Sequence, residues 1–484
     1  MKFYEHQGLQ VPHDVPVASR RDFLLRGGAG FGALALSGLL ETNPLFAKGA
    51  KDAGNPLAAK RPHFAPTAKS CIFLFMEGGP SHLDLFDPKP LVKKLAGQSL
   101  PPSFKRPITA MGETESPILH LPRKWKQHGQ SGLWVSDWLP RIAECMDDIA
   151  VIRSCWTNGI NHSGGVCQMN TGQPLAGRPS LGAWVSYGLG SENENLPSFV
   201  VITDTPAAPA NGPRNWSAGF MPAMYQGVRL NPGKEPIRNL NLPKGTSPEQ
   251  YRKQLDFLRR LNEQHLKSRE HQTELEARIR AYELAYRMQA SAPEAVDLSR
   301  ETEATKKLYG FDQKETKPFG QQLLAARRFA ERGVRIIQIM HGSGAAGAWD
   351  QHSNLKAKHS ELAMQVDRPV AGLLKDLKSR GMLDETLVVF ATEFGRTPGS
   401  QGSNGRDHHP YGFSVWMAGG GLKGGIAHGT TDEIGFHTEE NPHYVTDVHA
   451  TLLHQLGLEP ERMEVPGHKR LERDFGHVIK DIIA

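Results

Sequence analysis

Residues 70–79 read SCIFLFMEGG, a short apolar run closed by a glutamate and two glycines. A continuous apolar run of this length suits a strand buried on both faces, as in a parallel sheet covered by helices. The glycines place a turn at the carboxyl end of the strand. Five more runs along the chain share this character: IAVIRS at 149–154, LPSFVVITD at 196–204, VRIIQIM at 334–340, TLVVFATEFG at 386–395 and FSVWMAGGG at 413–421. Between the fourth and fifth of the six, Leu362, Val366, Val370, Leu374 and Leu377 recur at steps of three and four, and Gly381 supplies a stop. Strand, helix and strand in that order predict an α/β fold with a central, mostly parallel sheet sandwiched by helices.

Residues 247–310 have a different pattern. SPEQ at 247–250 reads as a helix start, with Ser247 as cap, Pro248 at the first helical position and Gln250 completing a capping box. Tyr251, Leu255, Leu258 and Leu261 form one apolar stripe, and Leu275, Ile279, Tyr282 and Tyr286 a second. The positions between them are densely charged, which predicts a helical insertion.

The 484 residues suffice for one large α/β domain with insertions, or for two to three smaller domains. Lysine plus arginine exceed aspartate plus glutamate by 57 − 51 = 6, and no polybasic run accounts for the excess. Nucleic-acid binding is therefore not expected. Cys71, Cys145, Cys155 and Cys167 contain no CxxC, which argues against a zinc finger; a Cys155–Cys167 disulfide is open to the chain in an oxidising compartment. SRRDFLLR at 19–26, then the uncharged GGAGFGALALSGLL and a small residue at Ala47, match a twin-arginine export signal over residues 1–47. This predicts a periplasmic or extracytoplasmic protein carried by the twin-arginine machinery. Residues 48–68, rich in Pro, Ala and Lys, read as a linker to a domain over 69–484. No other segment reaches the length of a membrane span.

In open α/β sheets, functional residues collect where strands end at their carboxyl edge. Here the first strand leads to Glu77, and the second to Asn161, His162 and Ser163. The fourth leads to Asp350 and His352, and the fifth to Glu393 and Arg396. The loop GRDHHPYG at 405–412, with Asp407, His408 and His409, immediately precedes the sixth. Each group alone suits a cap, a turn or a structural ion pair. Together they place carboxylates and imidazoles at nearly every position where one cleft could form. Such oxygen and nitrogen donors suit a divalent ion, with zinc, manganese, magnesium and calcium all open.

The stretches GGPSHLDLFDPKP, INHSGGVCQMNTGQP, WDQHSN, ATEFGRTP, GRDHHPYGFSVWMAGGGLKGG, GTTDEIG and DVHATLLHQLGL resemble the bacterial family called domain of unknown function 1501. That family is similar to the alkaline phosphatase and sulfatase superfamily. The resemblance implies a helix-sandwiched mixed sheet and, as a rule, two divalent metals. It places Glu77 where the first strand ends in a metal ligand, and His162 or Ser163 at the nucleophile before Thr171–Gly172. Asp350, His352 and His408 or His409 fall at one metal. Glu393 and Phe394 fall where the superfamily has an Asp–His pair for the other, and phenylalanine cannot bind a metal.

These readings lead to an exported, metal-dependent hydrolase of phosphate or sulfate esters, acting on an anionic ester such as a sulfated or phosphorylated glycan. Asp350, His352, Asp407, His408 and His409 are the candidate ligands of one ion, and Glu77 and Glu393 of a second. His162 and Ser163 are candidates to attack or activate water, and Arg396 to steady the anionic group. Two alternatives accompany this reading. One is a degenerate member acting as a glycan- or protein-binding module. The other is a metal-free carbohydrate enzyme using a close carboxyl pair.

Overall fold

The computed structural model describes residues 56–484, except 105–107, 114, 205–207, 231–244, 268–281, 285, 289–292, 343, 466 and 468–475. The expected export segment, 1–47, lies outside the described residues. Residues Leu57–Ala484 form one compact unit.

All six apolar runs are strands of one nine-stranded sheet. They are β1 (Ser70–Met76), β2 (Ile149–Trp156), β3 (Phe199–Thr203), β5 (Ile336–His341), β6 (Thr386–Ala391) and β7 (Phe413–Ala418). Three short strands complete it: β4 (Val228–Leu230), β8 (Ile426–His428) and β9 (His443–Tyr444). The spatial order is β8-β2-β7-β6-β1-β5-β3-β4, and β9 pairs with β2 beyond the end of β8. β1 lies at the centre, parallel to β5 on one side and β6 on the other.

β7 is the exception, running antiparallel to both β6 and β2. This reversal matters for the site. Because β7 runs backwards, the loop before it lies at the same sheet edge as the carboxyl ends of its neighbours. Phe413, the first residue of β7, is in register with Cys155 near the end of β2. The 405–412 loop therefore reaches the cleft that the strand ends define.

Alternation along β1 explains its unbroken apolar composition, since successive side chains point to opposite faces. Ile72, Leu74 and Met76 join one core with Leu323 and Leu324 of helix α4 (Lys317–Glu331) and Val366 and Val370 of α5 (Leu355–Ser379). Cys71, Phe73 and Phe75 join the opposite core with Val166 of α1 (His162–Thr171), Val185 of α2 (Leu181–Leu189) and Leu452 of α6 (Val445–Gln455). Each fully buried side chain of this size contributes about 1.5–3 kcal/mol, so a charge placed at any of them would break a layer. The five-residue stripe on α5 is buried as its spacing predicts, and Gly381 follows the helix with φ +67.

The described part of the insertion is helical. In α3 (Pro248–Lys267) the capping box forms as read: Ser247 N donates to Gln250 Oε1 at 3.0 Å, and Gln250 N to Ser247 Oγ at 3.2 Å. Residues 57–68 differ from a linker. Lys60 N donates to Leu189 O and His63 N to Gly457 O, both at 2.8 Å, and Thr67 N donates to Gln455 O at 3.0 Å. Their backbone donors are satisfied by the domain itself, which composition alone does not reveal. The cysteines Cys71, Cys145, Cys155 and Cys167 are all buried free thiols, so the Cys155–Cys167 disulfide is not formed. No helix of the described residues is long and apolar enough to cross a membrane.

Candidate metal centre

Four side chains from three separate segments meet at the carboxyl edge: His162, Asp350, His352 and His408, with ligand atoms all within 4.8 Å of one another. His162 opens α1, behind an Asn161 cap whose Oδ1 accepts from Gly164 N at 2.9 Å. Asp350 and His352 lie in the loop after β5. That loop is tied to the end of β1 by Trp349 N donating to Glu77 O at 3.1 Å. Two glycines permit the close approach. A Cβ on Gly78, which has φ +116, would stand 2.5 Å from Asp350 N, and one on Gly405 would stand 1.9 Å from His352 O.

His408 belongs to a two-residue ribbon in which His408 and His409 pair with Arg396 and Gly395. Neighbours on a strand point to opposite sides. His408 faces Asp350. His409 faces away and binds Phe436 O with its Nε2, fully buried, and burial holds it well below the ordinary imidazole range. His409 is thus not in the cluster. Neither is Asp407, whose carboxylate accepts from His408 N at 2.7 Å and Met111 N at 2.8 Å.

Asp350 Oδ1 is the focus of the cluster. His352 Nε2 lies 2.9 Å from it, and His162 Nε2 and His408 Nε2 each 3.2 Å. In each ring the other nitrogen is committed to an oxygen acceptor. His162 Nδ1 donates to Glu393 Oε1 at 2.9 Å, His408 Nδ1 to Ile160 O at 3.1 Å, and His352 Nδ1 to Gln401 Oε1. An acceptor at Nδ1 holds the proton of a neutral ring there, so that once Nε2 is deprotonated its lone pair faces inward, the arrangement typical of metal-ligating histidines. Glu393, Gln401 and the Ile160 carbonyl, which hold the three rings from behind, are part of the centre. Of these, the sequence alone points to Glu393.

Burial would raise the Asp350 carboxyl, but the close imidazoles of His162, His352 and His408 and the charge of Arg396 outweigh it and hold Asp350 well below the usual range. Burial likewise works against a charged His162, yet bonds to Asp350 and Glu393 push it up to about 9. In the protein alone, then, a proton on His162 supplies positive charge between two carboxylates.

Arg396 departs from its expected role. It is completely buried, and Nε donates to Gly79 O at 2.8 Å, NH1 to Arg406 O at 3.1 Å and NH2 to Asp350 Oδ1 at 2.7 Å, with Gly78 O as a further acceptor. Its donors are consumed by the protein, so it fixes Asp350 and does not reach a substrate.

Glu393 and Glu77 lie behind the cluster. Glu393 Oε1 accepts from Gly78 N at 2.7 Å as well as from His162, and Oε2 accepts from Thr392 Oγ1 at 3.0 Å. Glu77 is buried and accepts from Ala210 N, and burial followed by the nearby Glu393 charge pushes its carboxyl up to about 9. Both causes favour its protonated form. Phe394 fills the remaining space, its ring stacked on His408 at 4.5 Å between centroids and tilted against His162 at 5.1 Å. Ser163 is exposed in the first turn of α1, where its carbonyl accepts from Asn211 Nδ2 at 2.7 Å.

A family model described as a protein of unknown function (DUF1501) matches residues 68–483. The chain belongs to this family. No curated protein matches it. Among solved structures it is similar to the PsFucS1 sulfatase from Pseudoalteromonas sp., at 13% identity and TM-score 0.37, over 91% of this chain and 76% of that one. It is also similar to the alkaline phosphatase from the Antarctic bacterium TAB5, at 10% identity and TM-score 0.34, over 82% of this chain and 100% of that one. A third is the phosphonate monoester hydrolase SpPMH from Silicibacter pomeroyi, at 13% identity and TM-score 0.35, over 71% of each chain. These are likenesses of architecture, and the chemistry of this DUF1501 member rests on its own side chains.

Proposed function

We propose that this chain is an exported hydrolase of phosphate or sulfate esters that depends on one divalent cation held by His162, Asp350, His352 and His408. The observation that carries the proposal is the convergence of three Nε2 atoms on Asp350 Oδ1, with every Nδ1 anchored elsewhere. Three imidazoles and one carboxylate suit zinc better than calcium or magnesium, which favour oxygen shells. A cation there would neutralise developing charge on the ester oxygens and leaving group.

The chain's own residues do the rest. Glu393 orients His162 and raises its basicity, Arg396 holds Asp350 in place, and Gln401 and the Ile160 carbonyl set the other two rings. Glu77, carrying a proton, lets two carboxyl groups share one dry region. Phe394 occupies the space beside Glu393, which favours one cation over the two that the superfamily resemblance implies. With His162 committed as a ligand, Ser163 and water are the candidate nucleophiles. The ester class is supported by the motif resemblance, and export by the arginine pair and apolar stretch within residues 1–47. The buried Arg396 favours a second reading, a binding module that keeps the centre without turnover, because no arginine of the cluster is left to grip an anion.

The test is elemental analysis of the purified protein, with hydrolysis of p-nitrophenyl phosphate and p-nitrophenyl sulfate. The proposal expects about one equivalent of a transition metal that is lost in His408→Ala, and activity lost on chelation and in the same variant. A stoichiometric ion without hydrolysis supports the binding module. Absence of any ion after loading overturns both.

A further inference from the structure

A second pair of imidazoles lies apart from this centre and is used by none of its chemistry. β8 and β9 both pair in parallel with β2, end to end along one edge, with His428 in register with Ile152 and His443 with Cys155. The two rings bridge the strands, His428 Nε2 facing His443 Nε2 at 2.9 Å. Asp447, in the first turn of α6, accepts from His443 Nδ1 at 3.0 Å through Oδ2, while Oδ1 accepts from the His477 amide at 2.8 Å. With both oxygens accepting, Asp447 fixes the His443 proton on Nδ1 and leaves the Nε2 lone pair facing His428. On the far side of His428, Nδ1 stands 3.9 Å from Asp481 Oδ2.

We propose that His428 and His443, oriented by Asp447, form a second transition-metal site, for zinc or a similar divalent ion, clamping β8 and β9 on the edge of β2. In the free protein, the His428 Nε2 proton joins the two rings. When a cation enters, that proton moves to His428 Nδ1, which faces Asp481, and both Nε2 lone pairs point at the ion, so two neutral imidazoles bind without net proton release. Zinc–nitrogen bonds of about 2.0–2.1 Å at a tetrahedral angle separate two ligand nitrogens by about 3.3–3.4 Å. The pair therefore needs to open by only about 0.4 Å, within side-chain reach. His428 and His443 side chains keep 10% and 16% exposure, enough for an ion to enter and for water to complete its shell. The carboxylate behind His443 is the outer partner found behind metal-ligating imidazoles.

The test is calorimetric titration of the full chain with zinc chloride, for the wild type and for His443→Ala, His428→Gln and Asp447→Asn, with circular dichroism to confirm folding. One binding event present in the wild type is lost in His443→Ala and in His428→Gln, and Asp447→Asn weakens that same event by about 10- to 100-fold. The event at His162, Asp350, His352 and His408 remains in all three, so the two sites fail or succeed separately. Zinc also raises the melting temperature of the wild type more than that of His428→Gln. Folded variants whose isotherms superimpose on the wild type overturn the proposal. Should His443→Ala not fold, His428→Gln decides.

Discussion

Replacing Glu393 with glutamine tests the centre without emptying it. Glu393 is fully buried, and Oε1 accepts from Gly78 N and His162 Nδ1 while Oε2 accepts from Thr392 Oγ1. The glutamine oxygen keeps the first two bonds, and its amide donates to the Thr392 hydroxyl once that rotor turns. Volume and hydrogen bonds are preserved; the negative charge is lost. Loss of a carboxylate that holds a ligating imidazole from behind costs about 10- to 100-fold in metal affinity, or about 1.4–2.7 kcal/mol. The same change removes the Glu393 charge, which helps to lift both His162 and Glu77. Zinc competition with a chromogenic chelator measures the affinity, and nuclear magnetic resonance of the metal-free protein follows the His162 titration. The expected result is weaker zinc binding with a His162 pKa lowered toward the ordinary value and an intact fold. A folded Glu393→Gln protein with wild-type affinity and an unmoved His162 would refute the role given to Glu393 behind His162.

Asp350→Asn leaves Arg396, fully buried, without its only carboxylate contact among the described residues; loss of about 3 kcal/mol or more is expected in metal-free denaturant unfolding. His409→Asn, facing Phe436 and not Asp350, is expected to lower stability while keeping the full metal stoichiometry. Proton and metal compete at His162, so zinc affinity is expected to rise with pH toward about 9. In the metal-free protein the sign reverses. The folded pKa of His162, about 9, lies above the ordinary imidazole value of 6.5, so its stabilisation is complete below 6.5 and is lost as pH rises through 9. Unfolding measured across this window with and without zinc checks both.

The layer architecture was legible because parallel strands buried on both faces are written as unbroken apolar runs, and because α5 repeats its stripe at helical spacing. The direction of β7 was not, since an apolar run reads the same in a parallel or an antiparallel strand. Yet that direction carries GRDHHPYG to the cleft. Among its three ligand candidates, composition could not separate His408 from its neighbours. Strand alternation in a two-residue ribbon turns His409 away, and main-chain amides capture Asp407. Arg396 looked like an anion binder because arginine at a strand end usually meets solvent; here the backbone of Gly78 and Gly79 folds over it. His162 was singled out for chemistry at the right place, but its Nδ1 bond to Glu393, far away in sequence, makes it a candidate ligand. The short strands β8 and β9, and with them the His428–His443 pair, lacked any apolar run to announce them.

The most direct measurement is X-ray absorption at the zinc edge on protein loaded with one equivalent of zinc. The account predicts a shell of nitrogen and oxygen at about 2.0–2.1 Å with outer-shell imidazole scattering from three rings, reduced by one ring in His408→Ala. A shell of oxygen alone, or a spectrum unchanged by His408→Ala, would contradict it.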